Sequence, residues 1–334
     1  MSAGCRNGRE RGDTVRDRRR ATFDGVKDVG TGPRRVLHVQ DPHALTQAAG
    51  WLKFTSTGGL VLFRGETRLH ASTSSSALRA HSGRSLNGWA REFREFVDEL
   101  LRSKCLCAQA SPTAPRPPFS FSYGHLCTEK YDSRNGARSP IVSGTYRAAV
   151  EPLLQHYGLR TRWLDVVDNL WVALWFACHR QVTVGGQAHF LRRSVAQEGG
   201  DAMAYVVVMD TGPLRPAGIP GYQIGNDCRV IDLRYSVPSV YLRPHAQHGL
   251  LMAPRALHNP EMSNGPENSL NDRVAAHLRI RLGDALEWLG TGGMTSTYTL
   301  FPPATKDIGF KRLLESPIQP APSLGAITFY GPGY

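Results

Sequence analysis

The spacing of apolar residues predicts helices mainly in the first half of the chain. Apolar side chains recur at helical intervals in residues 41–54, 87–103 and 144–158. The clearest case is residues 87–103, where the apolar stripe lies opposite a face of arginine, aspartate and glutamate. Continuous apolar runs at residues 59–65 and 202–211 instead predict buried strands.

Most of the predicted strands lie in the second half of the chain. The further strands are expected at residues 161–165, 228–235, 239–254, 275–282 and 326–333. An apolar helix is expected at 169–180, and a serine-rich loop leads into a short helix after residue 71. Because strands and helices do not alternate regularly, we predict an α+β fold, with one mixed, largely antiparallel sheet flanked by helices.

Composition changes along the chain predict its organisation. Residues 1–38 carry many charges and few large apolar side chains, so we expect a disordered basic tail. Residues 39–320 are expected to form the α+β domain, and residues 108–124 a Pro/Ser-rich surface loop within it. Residues 321–334 are expected to form a C-terminal strand or tail.

The composition excludes some classes of protein. The 334 residues are 41% hydrophobic, which is enough for a sizeable core. Six scattered cysteines do not form a disulfide framework, and we find no secretory signal and no apolar run of about eighteen residues. We therefore expect a cytoplasmic protein without membrane contact. The net charge of +12 favours polyanionic partners, including nucleic acid bound by the basic tail.

Common cofactor and metal motifs are missing. The chain has no Walker A loop, no dinucleotide glycine fingerprint and no H-E-x-x-H motif. Cys105, Cys107, His125 and Cys127 form a Cys₃His set, but a C-x-C pair is closer than zinc sites normally use. Free thiols are the favoured interpretation, and no metal is predicted.

The densest motif lies in the middle of the chain, where "QHYGLRTRWLD" (155–165) is followed by "ALWFA" (173–177). With "LFRG" at 62–65 and "LRPHAQHGLLMAP" at 242–254, this block resembles the FRG domain family. The resemblance extends over residues 58–313, including "TLFPPATKDIGFKRL" towards the end. The chain departs from the family pattern at Arg160, where proline is usual, and at Val166-Val167, where Trp-Thr is usual.

The order of these elements is in turn similar to that of ADP-ribosyltransferases. Those enzymes place an arginine at the end of the first strand, a second strand leading into a helix, and a Glu or Gln on a later strand. The similarity assigns these positions to Arg64, to residues 161–177 and to Gln247. The catalytic residues that it implies are Arg64, His156, Asp165 and Gln247. A closer Ser-Thr-Ser match at "ASTSSS" is rejected, because too few residues separate it from Arg64.

This similarity implies NAD as the substrate, and another nucleotide stays open as the alternative ligand. The forked guanidinium group of an arginine can bind the diphosphate with two hydrogen bonds. A carboxylate stabilises the positive charge that develops on the ribose when the nicotinamide leaves. The residues expected to contact NAD are Arg64, Gly65, Tyr157, Thr161 and Arg162. Gly65 is expected to leave room for the ligand.

Structural interpretations remain open for each of these residues. Arg64 could pair with Asp165 or Glu66, and Asp165 could pair with Arg162 and cap the next helix. The leading function is an NAD-using ADP-ribosyltransferase-like effector, as a toxin or an anti-phage defence component. The alternative is a non-catalytic nucleic-acid-binding or protein-interaction module. A deep cleft containing Arg64, His156 and Gln247 would favour the enzyme.

Overall fold

A computed structural model describes most of the chain. The described residues are 24–30, 35–56, 58–80, 86–103, 127–131, 138–142, 144–184, 187–255 and 269–330. The predicted surface loop at 108–124 and most of the predicted basic tail lie outside them. In this part of the chain, no helix is both long and apolar enough to cross a membrane.

Fourteen strands are present in the described residues. They are β1 (Val26–Asp28), β2 (Val36–Val39), β3 (Gly59–Glu66), β4 (Cys127–Tyr131), β5 (Arg138–Val142), β6 (Leu164–Val167), β7 (His179–Val184), β8 (Gln187–Arg192), β9 (Met203–Pro213), β10 (Arg215–Pro216), β11 (Tyr222–Ile224), β12 (Cys228–Asp232), β13 (Gly249–Pro254) and β14 (Val274–Arg281).

The helices connect and cover these strands. They are α1 (Pro42–Thr55), α2 (Ser76–Ala80), α3 (Asn87–Ser103), α4 (Gly144–His156), α5 (Leu170–Cys178), α6 (Val195–Glu198), α7 (Leu233–Ser236), α8 (Leu242–Ala246), α9 (Leu282–Leu289), α10 (Thr297–Leu300) and α11 (Ile308–Leu314). Local sequence explains several of their starts. Asp41 caps α1 through Ala44 N, and Asn169 caps α5 by accepting from Trp171 N and Val172 N.

Ten strands form one sheet in the order β1-β2-β14-β9-β3-β6-β13-β12-β11-β10. All neighbours in this sheet are antiparallel except β14 and β2, which are parallel. Two separate hairpins, β4–β5 and β7–β8, lie outside it. The prediction of an α+β fold with a mixed, largely antiparallel sheet is confirmed.

The sheet is nearly divided between β3 and β6. These strands share a single register pair, Phe63 with Val167, whereas β3 pairs with β9 along its whole length. The pairing does not continue to Asp165, so the strands separate on that side. A gap in the ladder of a central sheet leaves space for side chains from both strands.

The core follows this division. On one face of the sheet, α1, α5 and α9 cover β2, β14, β9 and β3, and Trp175 and Phe63 lie in that core. On the same face, α3, α4 and α11 cover β12 and β13 around Tyr157 and Leu251. The opposite face carries a third cluster that spans both halves, with Leu62, Val207 and Met252. The two helical cores therefore meet above the gap between β3 and β6.

Three boundaries differ from the prediction. Strand β1 and the first three residues of β2 lie inside residues 1–38, so the sheet begins before the expected end of the tail. Residues 239–254 form the short helix α8 before β13 instead of one long strand. The end of the chain forms isolated bridges, Leu159 with Gly325 and Ala188 with Tyr330, and no regular strand among its described residues. The pairing of β2 with β14 and of Ala188 with Tyr330 joins distant segments, which local pattern does not report.

Candidate functional site

A cleft of about 220 Å³ opens where the two helical cores meet. It is lined by residues from β3, the end of α4, β6, α5, the β7–β8 hairpin, the segment after α8, and the end of the chain. The lining residues are Phe63, Arg64, Gly65, Gln155, His156, Asp165, Val166, Val167, Phe176, Gln181, Phe190, Gln247, Phe301 and Tyr330. All four residues predicted as catalytic belong to this set.

Arg64 spans the gap in the sheet. Its Nη1 donates to the backbone oxygen of Asp165 at 2.9 Å, and its Nε donates to Glu66 Oε1 at 3.1 Å. The side chain is 22% exposed, while the carboxylate of Glu66 is almost buried. Of the two partners considered for Arg64, Glu66 therefore pairs through its carboxylate, whereas Asp165 accepts only through its main-chain oxygen. Nη2 makes no described contact and remains available to an anionic ligand.

Asp165 supplies the accessible carboxylate of the cleft. Its side chain is 47% exposed, and Oδ2 accepts from Gln155 Nε2 at 2.8 Å. The Gln155 amide oxygen accepts in turn from the hydroxyl of Thr161. Oδ1 of Asp165 lies 3.8 Å from His156 Nε2. Gln155 therefore fixes one carboxylate oxygen and leaves the other facing His156 and the solvent.

His156 is buried at the base of the cleft. Burial lowers its pKa, the charge of Arg243 acts in the same direction, and Asp165 and the Gln247 amide oppose them. Among the described residues, neither ring nitrogen of His156 has a hydrogen-bond partner at full geometry. With a pKa below the ordinary 6.5, the ring is neutral at physiological pH and can accept a proton.

Gln247 and Gly249 also lie next to the His156 ring. Gln247 Nε2 donates to Leu300 O at 2.8 Å. A Cβ on Gly249 would lie 2.5 Å from His156 Cε1, so only glycine leaves space for the ring there. Gln247 was predicted on a strand, but it is the C-cap residue of α8, two residues before β13 begins.

Aromatic rings form the wall opposite Asp165. The Phe190 and Phe301 rings stack at 4.4 Å, and Tyr330 lies 4.5 Å from Phe301 and 5.5 Å from Phe190, measured between centroids. Phe176 meets Phe190 edge-on at 6.0 Å. A wall of this kind offers a stacking surface to a planar ring.

Three residues predicted to contact NAD do not line the cleft. Tyr157 is buried behind it, and its hydroxyl donates to Asp307 Oδ2 at 2.7 Å. Thr161 is also fully buried. Arg162 makes a two-point ion pair with Glu151 and so does not pair with Asp165. These residues brace the motif segment outside the lining of the cleft, and their predicted contact with NAD stays a prediction.

Gly65 serves helix packing. A Cβ at this position would lie 1.9 Å from Ala173 O and 2.6 Å from Ala177 N, both in the backbone of α5. The backbone of Gly65 lines the cleft, but the space left by its missing side chain is filled by the helix. The expectation that Gly65 makes room for a ligand is therefore corrected.

Sequence analysis missed several residues of the site. Gln155 and Phe176 lie within the quoted motifs but were assigned no role, and Gly249 follows Gln247 closely. Phe301 lies in the quoted motif at 299–313 and Tyr330 in the strand predicted at 326–333, but neither pattern places them at the cleft, which they reach only through the fold. No metal-binding group of three or more His, Cys, Asp or Glu is found in the described residues, and the side chains of the Cys₃His set lie outside them.

Comparison with known proteins gives one result for the family. The FRG domain family matches residues 126–184, which include the central motif with His156 and Asp165 but not Arg64 or Gln247. No curated protein and no solved structure matches the chain. The resemblance drawn from the motifs is thereby confirmed over residues 126–184, which match the FRG domain family.

Proposed function

We propose that the cleft binds NAD and cleaves its nicotinamide–ribose bond, in the manner of an ADP-ribosyltransferase or an NAD glycohydrolase. The observation that carries this proposal is convergence. Arg64, His156, Asp165 and Gln247 come from four separate segments of the chain, yet all line one cleft. Polar groups are costly to gather beside an apolar core, so such a site calls for a purpose beyond folding.

The size of the cleft limits what part of NAD it takes. At about 220 Å³ it is smaller than most ligand pockets, which span roughly 300–1,000 Å³. It suits the nicotinamide and its ribose, with the diphosphate extending outwards past Arg64. The free Nη2 of Arg64 supports a charge-assisted bond to a phosphate oxygen there.

The polar groups suit the steps of the cleavage. The C1′–N bond breaks, neutral nicotinamide leaves with the electron pair, and the ribose becomes a cation. The exposed carboxylate of Asp165 is suited to stabilise that cation, as a fixed negative charge held by Gln155. Water or an acceptor then attacks C1′, and neutral His156 is suited to take the proton that it loses.

Release of free nicotinamide from NAD by the purified protein, followed by chromatography, tests the proposal. Wild type is expected to release it, and Asp165→Asn to be slower by about 10²-fold or more, the usual effect of losing an electrostatic group in the transition state. Arg64→Lys keeps a charge but loses the fork, so mainly KM should rise. Arg68→Lys is the matched control, because Arg68 is exposed and does not line the cleft.

Two results would argue against the proposal. Nicotinamide release at equal rates by wild type and Asp165→Asn would show that the reaction does not take place in the cleft. No release, together with no thermal shift on adding NAD, would return the chain to the non-catalytic interpretations, a nucleic-acid-binding or protein-interaction module. A role in toxicity or in defence against phage stays a prediction under every one of these outcomes.

A further inference from the structure

A buried arginine without a carboxylate partner lies directly behind the cleft. Arg243, in α8, has no solvent exposure. Its Nη1 donates to the backbone oxygen of His156 at 2.7 Å, and its Nε and Nη2 have no hydrogen-bond partner among the described residues. Guanidinium groups are almost never fully buried without an ion pair, so this position needs an explanation.

Aromatic rings take the place of the missing counter-ion. The guanidinium carbon lies 4.5 Å from the ring centroid of Tyr157, 4.6 Å from Phe310, 4.7 Å from Tyr330 and 5.5 Å from Phe301. Ring faces attract a cation, especially one removed from water. Tyr330 and Phe301 also line the cleft, so the same cation that contacts His156 also contacts part of the aromatic wall.

The nearby carboxylate of Asp307 is committed to other donors. Its Oδ2 accepts from the Tyr157 hydroxyl and from the backbone N of Arg243, and its Oδ1 accepts from Phe310 N. The Asp307 carboxylate therefore holds the backbone of α8 and leaves the guanidinium unpaired. The positive charge of Arg243 therefore acts on His156 in the same direction as burial, and the charge of Asp165 opposes both.

We propose that Arg243 is a positioning residue for His156: it fixes the end of α4 through the His156 carbonyl and places a permanent positive charge behind the imidazole. The proposal rests on the proposed function for the use that His156 makes of this setting. The effect of the charge is to keep the ring unprotonated, ready to accept a proton from the attacking nucleophile.

Other charged and polar groups face the same imidazole. Asp165 approaches from β6 and favours the protonated ring, as does the Gln247 amide that follows α8. Arg64 of β3 and Tyr330 of the C-terminal segment line the same cleft. Asp165 already has the larger of these two opposite effects, so removal of the Arg243 charge leaves Asp165 unopposed among the charges and raises the pKa of His156.

A direct titration of His156 tests this without relying on activity. The protein carries twelve histidines, so the His156 resonance is assigned with ¹³C-labelled histidine and a His156→Gln variant. In wild type, the His156 pKa is expected below 6.5. Arg243→Met fills similar volume without charge and should raise this pKa, whereas Arg243→Lys keeps the charge and should leave it closer to wild type.

Arg229→Met is the matched control. Arg229 is also buried and stacked on a ring, 4.8 Å from Trp163, but it does not line the cleft and is not among the charges that shift the His156 pKa. Its replacement should leave the His156 titration unchanged. An unchanged His156 pKa in folded Arg243→Met would overturn the proposal, and so would an equal shift in Arg229→Met.

Folding behaviour also decides between the interpretations. A buried charge without an ion-pair partner is costly to the folded state, so Arg243→Met, which removes that charge at similar volume, is expected to fold. Arg243→Gln, which keeps a donor for the His156 carbonyl, is the second variant. If neither folds, Arg243 is a purely structural residue and the proposal fails.

Activity measurements separate this inference from the proposed function. If wild type releases nicotinamide, Arg243→Met should move the acidic limb of the kcat–pH profile to higher pH, with KM little changed. If wild type releases none, the proposed function fails, while the NMR titration still decides whether Arg243 sets the state of His156.

Discussion

Replacing Gly65 by alanine tests why a glycine follows Arg64 at the end of β3. The added Cβ would lie 1.9 Å from Ala173 O, 2.6 Å from Ala177 N and 2.8 Å from Phe176 Cβ. Two of these atoms belong to helix backbone, which cannot turn aside as a side chain can. The strand and α5 must therefore separate by more than an ångström in the middle of a close-packed core.

The expected cost lies at the upper end for overpacking. Inserted groups in well-packed cores cost about 1–3 kcal/mol, and we expect about 3 kcal/mol here because backbone must move. Such a loss lowers the melting temperature by roughly 4–5 °C, because the entropy of unfolding is about 2.1 cal/mol/K per residue. Differential scanning calorimetry and urea unfolding of Gly65→Ala and wild type measure it.

Gly50→Ala is the matched control for this substitution. Gly50 lies within α1, and no atom would come within 4 Å of its Cβ, so alanine should stabilise the helix by up to about 1 kcal/mol. The same chemical change is thus expected to act with opposite sign at the two positions. If Gly65→Ala keeps wild-type stability but loses NAD binding, the glycine makes room for ligand and our correction is wrong.

Three further substitutions test the framework around the cleft by the free energy of unfolding. Asn169→Ala removes the cap of α5, whose side chain accepts from two backbone N–H groups, and should cost about 1 kcal/mol. Glu151→Gln breaks the buried pair with Arg162 and should cost roughly 3–5 kcal/mol, since a buried cation is left behind. Gly158→Ala should destabilise the protein and loosen its C-terminal segment, as measured by hydrogen exchange, because φ is +108° and Thr328 lies against the position of the new Cβ. Wild-type values in any of these variants would contradict the corresponding contact.

Elements with strong local signals were predicted well. The amphipathic helix at 87–103 coincides with α3, and all but the first residue of the apolar run at 202–211 lies within β9. Both patterns report directly on a buried face or a buried strand. The segment at 239–254 was predicted as one strand because its apolar content is high. Its first part is the helix α8, where Arg243 is buried among aromatic rings that come from remote parts of the chain.

The candidate site was predicted in part for the same reason. Arg64, His156, Asp165 and Gln247 stand next to strand or helix ends in recognisable motifs, and all four line the cleft. Thr161 belongs to the same motif as His156 and Asp165 but is buried in the core. Membership of a motif alone therefore does not distinguish residues of the cleft from residues of the core. Gly65 was placed correctly and explained wrongly, because the atoms that require a glycine belong to α5, more than a hundred residues later.

The aromatic wall and its buried cation lay beyond sequence reasoning. Phe190, Phe301 and Tyr330 are separated by long stretches of chain, and each looks like an ordinary core or tail aromatic. Only the meeting of the two helical cores brings them together around Arg243. Tertiary contacts of this kind leave no periodic trace in one sequence.

Equilibrium binding of NAD, measured by titration calorimetry, tests the central claim most directly, because it needs neither an acceptor nor turnover. The account predicts saturable binding at one site per chain, abolished in Arg64→Glu and retained in Arg68→Glu, which carries the same change of charge on an exposed side chain. Absence of binding by folded wild type, or equal binding by the two variants, would contradict the claim that this cleft is the NAD site.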